Sequence, residues 1–192
     1  MRIAVPVLTP KRKSPADKRR ELRDEIWPDA EAVVWNRQTD KGWCTIPRTL
    51  PLLMTLINYI SPKERGDASR VYQELWCHAF EEGLVSIVDE EAHAFASGFI
   101  NGSRSLRSWR ERMDLLSEFG FIRIARNGGR LYGYVLLVHP HDVVQRLRVG
   151  GKYPFPPGWD TAFAKRFIDI GAVKRAKAGS AKNVKKLAER AV

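Results

Sequence analysis

The chain has 192 residues, in which 33 lysines and arginines outnumber 22 aspartates and glutamates to give a net charge of +11 and a pI near 10.0. Because 44% of the residues are hydrophobic, with eight Phe, six Trp and five Tyr, the composition excludes a chain that is disordered throughout. The positive charge favours association with polyanions, because lysines and arginines that bind phosphates release the counterions held there. A basic protein that merely carries charged tails would have the same composition.

The cysteines and the apolar runs predict the compartment. Cys44 and Cys77 lie far apart and form no CxxC pair, which argues against a disulfide framework and for a reducing environment. The apolar start of the chain is too short for a signal peptide, and no apolar run reaches the roughly 18 residues that a membrane-spanning helix needs. We therefore expect a cytoplasmic protein without a membrane partner.

The N-terminal third of the chain divides into two segments. Residues 1–25 are basic and contain prolines, which predicts a flexible arm, although Ser14 and Pro15 could begin a helix there. Residues 26–66 are expected to form an extension that packs on the core.

Two patterns predict the structure of this extension. Short apolar runs at 32–35 and 42–46 flank a polar stretch, which favours a loose hairpin or an extended strip. The strongly apolar residues that follow Pro47 predict a buried helix over 48–60.

The central part of the chain, residues 67–147, alternates between helical and strand patterns and is predicted to form one domain. Its predicted elements, in order, are a helix over 68–82 capped by Asp67, a strand over 84–88, a helix over 90–96 capped by Asp89, a glycine-containing turn over 98–102, a helix over 103–119 capped by Ser103, a strand over 121–125, a turn over 126–130, a strand over 131–139 and a helix over 141–147.

The C-terminal part divides into an extension over 148–171, with a predicted amphipathic helix over 161–170, and a tail over 172–192. The tail is rich in lysine, arginine and alanine and poor in large apolar residues, which predicts disorder in the free protein.

The order of elements over 67–147 resembles a winged helix-turn-helix domain, of the kind found in bacterial transcription regulators and plasmid replication initiators. Residues 94–99 look like the second helix and the turn, residues 103–113 look like the recognition helix, and residues 115–122 resemble the passage from that helix into the wing hairpin. The resemblance implies a mainly helical α+β fold with extra N-terminal and C-terminal helices. It also implies that the third helix binds the major groove of duplex DNA.

The helical periodicity of residues 103–119 agrees with this resemblance. Four apolar residues share one face and predict the side that packs on the core, namely Leu106, Trp109, Met113 and Leu116. The other face is rich in arginine, whose planar guanidinium can bind guanine O6 and N7 together. An arginine-rich face that is merely solvated is the alternative, and Glu111 is expected to pair with Arg107.

The DNA-contacting residues that we expect lie on this helix and on the hairpin that follows it. They are Ser103, Arg104, Arg107, Ser108 and Arg110 on the helix, and Arg126, Asn127 and Arg130 on the wing. The small serines allow close approach of the helix N-terminus to phosphates, and arginines at the wing tip suit phosphate or minor-groove contacts.

No pattern predicts a catalytic residue, a cofactor or a metal site. The Cys77–His78 pair would lie mid-helix, where adjacent side chains point about 100° apart, and His139 and His141 lack a complete ligand set. The acidic run that begins at Asp89 is explained by the preference of helix N-termini for acids.

The sequence therefore favours a sequence-specific protein for double-stranded DNA, either a transcription regulator or a replication initiator, and not an enzyme. A nucleoid-associated or RNA-associated accessory protein, and a winged-helix scaffold for a protein partner, remain as alternatives. A homodimer is left open, because residues 26–60 or the apolar edge of Phe163, Phe167 and Ile170 could serve a partner or the core equally well.

Overall fold

The computed structural model describes residues 13–34, 41–80, 82–100 and 104–170. The chain forms two compact units, Met1–Trp43 and Cys44–Val192. Helices dominate, and a small antiparallel sheet accompanies them, so the predicted mainly helical α+β class is confirmed. Within the described ranges, no helix combines the length and the apolar character that crossing a membrane requires.

The first unit contains two helices in its described part, α1 (Pro15–Ile26) and α2 (Ala30–Val33). Helix α1 begins with a capping box, in which the Ser14 Oγ accepts from the Asp17 backbone N–H at 3.1 Å, and none of its residues is buried. The helix that Ser14 and Pro15 could begin is therefore present, whereas residues 1–12 lie outside the described part.

The hairpin predicted from the apolar runs at 32–35 and 42–46 is wrong for the first of these runs. Residues 30–33 form α2, because alanine and glutamate favour a helix and the Asp29 and Trp27 carbonyls accept its first N–H groups. Most of the predicted turn over 36–41 lies outside the described residues, and residues 41–47 have no regular structure.

The second unit carries nine described elements in the predicted order. They are α3 (Leu50–Ile60), α4 (Ser69–His78), β1 (Leu84–Ser86), α5 (Glu90–Ala96), α6 (Ser105–Phe119), β2 (Ile122–Asn127), β3 (Arg130–Leu137), α7 (Pro140–Gly150) and α8 (Trp159–Asp169).

The largest error in the predicted bounds concerns the end of α4, which is four residues earlier than expected. The backbone turns extended at Ala79, and Gly83, with φ of +69°, then redirects the chain so that its carbonyl accepts from Leu137 of the sheet. Phe80, which lies within the predicted helix over 68–82, is consequently outside α4 and exposed. The predicted cap is displaced by one residue: Ala68 occupies the N-cap position without a side-chain cap, and Asp67, which precedes it, accepts at Oδ1 from the Ser69 backbone N–H at 2.7 Å.

The three strands form one antiparallel sheet in the order β1-β3-β2. Val135 of β3 lies between Val85 of β1 and Ile124 of β2 in the register, and both valines are fully buried. A bulge between Ala125 and Asn127 bends β2 as it approaches the hairpin turn. Three helices with a short strand between the first and second, followed by a hairpin whose second strand pairs with that strand, are compatible with a winged helix.

The core of this unit lies between α3, α4, α6 and the inner face of the sheet. Its largest buried side chains include Trp109, Tyr72, Phe121 and Met113, and the rings of Tyr72 and Phe121 lie 5.2 Å apart. Burial of such side chains contributes about 1.5–3 kcal/mol each, which fixes the rotation of α6 about its own axis.

Helix α8 also packs within the chain. Trp159 Nε1 donates to the Leu52 carbonyl of α3 at 2.7 Å, and the Trp159 ring stacks on Phe163 at 4.4 Å. Phe163 and Phe167 both contact the ring of His141. The sequence allowed Phe163 and Phe167 to pack either on the core or on a partner. In the structure both pack within the chain.

Candidate nucleic-acid interface

Helix α6 presents its arginines to solvent because its apolar stripe is anchored in the core. Trp109, Met113 and Leu116 are completely buried, as the periodicity predicts, and Leu106 is half-buried. Arg104, Arg107 and Arg110 lie on exposed positions of the first half of the helix.

The start of α6 has a free polar terminus within the described residues. Arg104 occupies the N-cap position and its side chain makes no cap hydrogen bond, and the first backbone N–H groups have no intrahelical acceptor, as in any helix. Such a terminus favours an anion, since the N–H groups and the helix dipole both point toward it. Ser103, the predicted cap and candidate contact, lies outside the described residues.

The arginines of α6 differ in how firmly they are held. Arg107 is 83% exposed and its Nε donates to Glu111 Oε1 at 3.1 Å, which is the expected pairing. The Arg110 Nε donates at 2.7 Å to Glu90 Oε2, whose side chain is only 14% exposed, so this pair fastens α6 to α5. Arg104 has no side-chain hydrogen bond or ion pair with any described residue.

Ser108 and Arg112 lie closer to the core than the other polar residues of this helix. Ser108 is half-buried, and its backbone carbonyl accepts from Arg112 Nη1 at 3.3 Å. The Arg112 guanidinium also covers the ring of Phe99 at 5.6 Å from its centroid. Arg112 therefore packs against the turn that follows α5 and does not belong to the exposed arginine face of α6.

The hairpin between β2 and β3 carries the wing candidates at its tip. Asn127 pairs with Arg130 across a turn made by Gly128 and Gly129, and Gly128 adopts φ of +58°. Arg126, Asn127 and Arg130 are all exposed, and neither arginine side chain has a partner among the residues that the structure describes.

Close packing at Gly133 determines the shape of the hairpin. A Cβ atom on Gly133 would lie 2.5 Å from the Asn127 backbone nitrogen and 2.2 Å from the Asn127 Cβ, so only glycine fits opposite the bulge. The sequence analysis missed this role, because the pairing of Gly133 with the bulge depends on the register.

The helix and the hairpin meet at an open hollow of about 360 Å³, lined by Glu90, Arg110 and residues 129–132. Tyr132 donates from its hydroxyl to Asp114 Oδ1 at 2.9 Å and so connects β3 to α6. Burial, together with this hydrogen bond, raises the pKa of Tyr132 above its ordinary value, which keeps the hydroxyl a neutral donor. Arg110 and Arg130 thus lie around one hollow, on a face formed by two separate elements.

A second polar cluster lies beneath α6, where sequence reasoning predicted no site. Glu74 and His93 are buried and His78 is exposed, and their three ligand-type atoms all lie within 4.8 Å of one another. Glu74 and His78 are one helical turn apart, which a pattern search could have found, but His93 comes from another helix. Among the described residues, Glu74, His78 and His93 form the group whose arrangement could hold a metal ion.

The two cysteines are closer than their separation in sequence suggests. Cys44 and Cys77 are free thiols close enough to influence each other, since burial and then the neighbouring Cys44 raise the pKa of Cys77.

Comparison with known protein families, with curated proteins and with solved structures finds no match to this chain.

Proposed function

We propose that this chain is a sequence-specific protein for double-stranded DNA, in which the second unit is a winged helix, α6 is the recognition helix and the β2–β3 hairpin is the wing. One observation carries the proposal: arginines of α6 and of the hairpin border the same open hollow. Two separate elements that present cations on one face match the way such domains follow a duplex, with a helix in the major groove and a wing on the backbone.

Arg104 and Arg107 are the residues proposed to read bases. Arg104 has no competing partner among the described residues, and the Arg107–Glu111 pair is an exposed pair of the kind that contributes about 0.3–0.5 kcal/mol. A bidentate contact between arginine and guanine contributes about 1–3 kcal/mol to discrimination, so breaking this pair costs less than the contact gains.

Arg110 is proposed to approach the groove while it holds α5 in place, because its pair with the largely buried Glu90 is costly to break. Ser103, Ser108 and the N-terminal backbone N–H groups of α6 would contact phosphates at close range. Arg126, Asn127 and Arg130 would hold the backbone from the wing, and the net charge of +11 would add affinity that does not depend on sequence.

The test is fluorescence anisotropy of labelled duplexes, selected from a random pool, across a salt series. We expect Arg104→Ala plus Arg107→Ala to weaken binding to the selected duplex by about 2–6 kcal/mol, or roughly 30-fold to 10⁴-fold. The matched control, Lys165→Ala plus Arg166→Ala, removes two exposed cations from α8 and should change only the salt-dependent part equally on all duplexes.

Two results would contradict the proposal. Wild-type protein that binds no duplex near physiological salt would redirect attention to a protein partner or to RNA. A helix variant that loses no more affinity than the α8 control would mean that the arginine face is only solvated.

A further inference from the structure

The buried polar cluster under α6 joins two helices. The Nδ1 atom of His93, on α5, lies 2.8 Å from Glu74 Oε1 and 3.0 Å from Glu74 Oε2. The Nε2 atom of His78, one turn after Glu74 on α4, lies 2.9 Å from the same Oε1. Two imidazole nitrogens from different helices therefore converge on one carboxylate.

This carboxylate is unusual because of its surroundings. The side chains of Glu74 and His93 are only 6% and 7% exposed, and no lysine or arginine of the described residues pairs with Glu74. A buried carboxylate costs several kcal/mol unless a positive charge compensates it. The two imidazoles beside Glu74 can bring such a charge to it in two ways, by carrying a proton or by binding a metal cation together with the carboxylate.

We propose that Glu74, His78 and His93 bind a divalent transition-metal ion of the zinc type. This site goes beyond the proposed DNA binding and does not depend on it. Imidazole nitrogen and carboxylate oxygen are ordinary zinc ligands, whereas calcium and magnesium require more oxygen ligands than a single carboxylate supplies. Three protein ligands leave a fourth position for water, on the side where His78 is 55% exposed.

The dimensions of the cluster fit such an ion. Metal–ligand bonds of about 2.0–2.2 Å place tetrahedral ligand atoms roughly 3.3–3.6 Å apart. The His78–Glu74 contact of 2.9 Å would open by roughly half an ångström, which the exposed His78 side chain allows, and the buried His93–Glu74 contacts of 2.8 and 3.0 Å would have to open by a similar amount. The ion would connect α4 to α5 directly beside α6, since the His93 ring lies 6.3 Å from the Trp109 ring.

The site is tested on the full chain, stripped with a chelator, kept reduced and titrated with Co²⁺ and Zn²⁺. We expect one ion per chain, with the visible absorption of tetrahedral Co²⁺. Ligation through nitrogen and oxygen alone gives no sulfur charge-transfer band, which separates this site from the thiols of Cys44 and Cys77. Affinity should fall as pH falls, because the imidazoles must lose their protons to bind.

Variants locate the ion. We expect His78→Ala, at a position that is 55% exposed, to weaken binding at least about 100-fold, since losing even an outer-shell partner of a metal ligand costs about 10- to 100-fold. Glu74→Gln keeps the volume of the side chain and should abolish one-to-one binding. His139→Ala is the matched control, because His139 is another exposed histidine beside a carboxylate, 3.5 Å from Asp142, and should leave the titration unchanged.

Circular dichroism of each variant separates loss of ligation from loss of fold. The proposal is overturned if folded wild type binds neither ion more tightly than His78→Ala does, or if His139→Ala weakens binding as much as His78→Ala. It is also overturned if the cobalt spectrum shows a sulfur band that Cys77→Ser removes.

Discussion

The two halves of α6 differ in what their side chains contact. In the second half, Leu115, Leu116 and Phe119 are buried, and Tyr132 and Arg65 donate to Asp114 and Glu118 from the sheet and from the loop before α4. In the first half, by contrast, only Trp109 is buried completely. The second half anchors the helix in the core, and this leaves Arg104 and Arg107 of the first half available to a ligand.

The largest expected effect comes from removing an anchor of the second half. Leu116→Ala should lower the free energy of unfolding by about 2–5 kcal/mol, because it leaves a cavity at a completely buried position. Arg104→Ala in the first half should change it by less than about 0.5 kcal/mol. Urea denaturation of both variants measures the contrast, and comparable losses would show that the first half is also needed for stability.

The wing offers the second test. Gly133→Ala should destabilise the protein by about 1–3 kcal/mol, since its Cβ would overlap the Asn127 backbone. Gly129→Ala is the control, because a Cβ at the turn meets no atom within 4 Å and its φ is not in the left-handed region. Thermal unfolding, with hydrogen exchange of the hairpin amides, distinguishes the two. Equal behaviour of both variants would mean that the hairpin relaxes freely.

The smallest expected effect concerns the surface ion pair between Arg65 and Glu118, a residue in the second half of α6. The hydrogen bond from Arg65 lowers the pKa of Glu118 below its ordinary value of 4.5, so its stabilisation is present above about pH 4.5 and lost as pH falls through the folded value. Because Glu118 is half exposed, Glu118→Gln should cost only about 0.2–1 kcal/mol at neutral pH.

The pH dependence of that cost distinguishes pairing from a general charge effect. Unfolding of Glu118→Gln and wild type should converge as the pH falls below 4.5. Glu64→Gln serves as the control, because Glu64 is an exposed acid with no partner among the described residues. A constant difference at all pH values for Glu118→Gln would contradict the role given to the pair.

Local signals in the sequence predicted much of the second unit. Asp89 precedes a helical pattern, and its Oδ1 accepts from the backbone N–H groups of Glu91 and Ala92. The apolar stripe of α6 similarly gave the buried face, because spacing along one helix is a local property. Whether that face binds DNA stays a prediction.

The features that sequence did not predict depend on packing between distant segments. Arg110 meets Glu90, and His93 meets Glu74, only because α5 packs against both α6 and α4. The end of α4 was misplaced for a related reason, since Gly83 accepts a hydrogen bond from the sheet that the preceding residues do not reveal. No local pattern encodes such contacts.

The hydrogen bond from Trp159 to Leu52 has a consequence for synthesis. These residues are 107 positions apart, so translation at about 5–20 residues per second separates their appearance by roughly 5–20 seconds. Until Trp159 emerges from the ribosome, α3 exposes the apolar surface that α8 later covers. A nascent chain of this protein therefore presents a hydrophobic segment that a chaperone can bind, and a stop codon placed before residue 159 would make that exposure permanent.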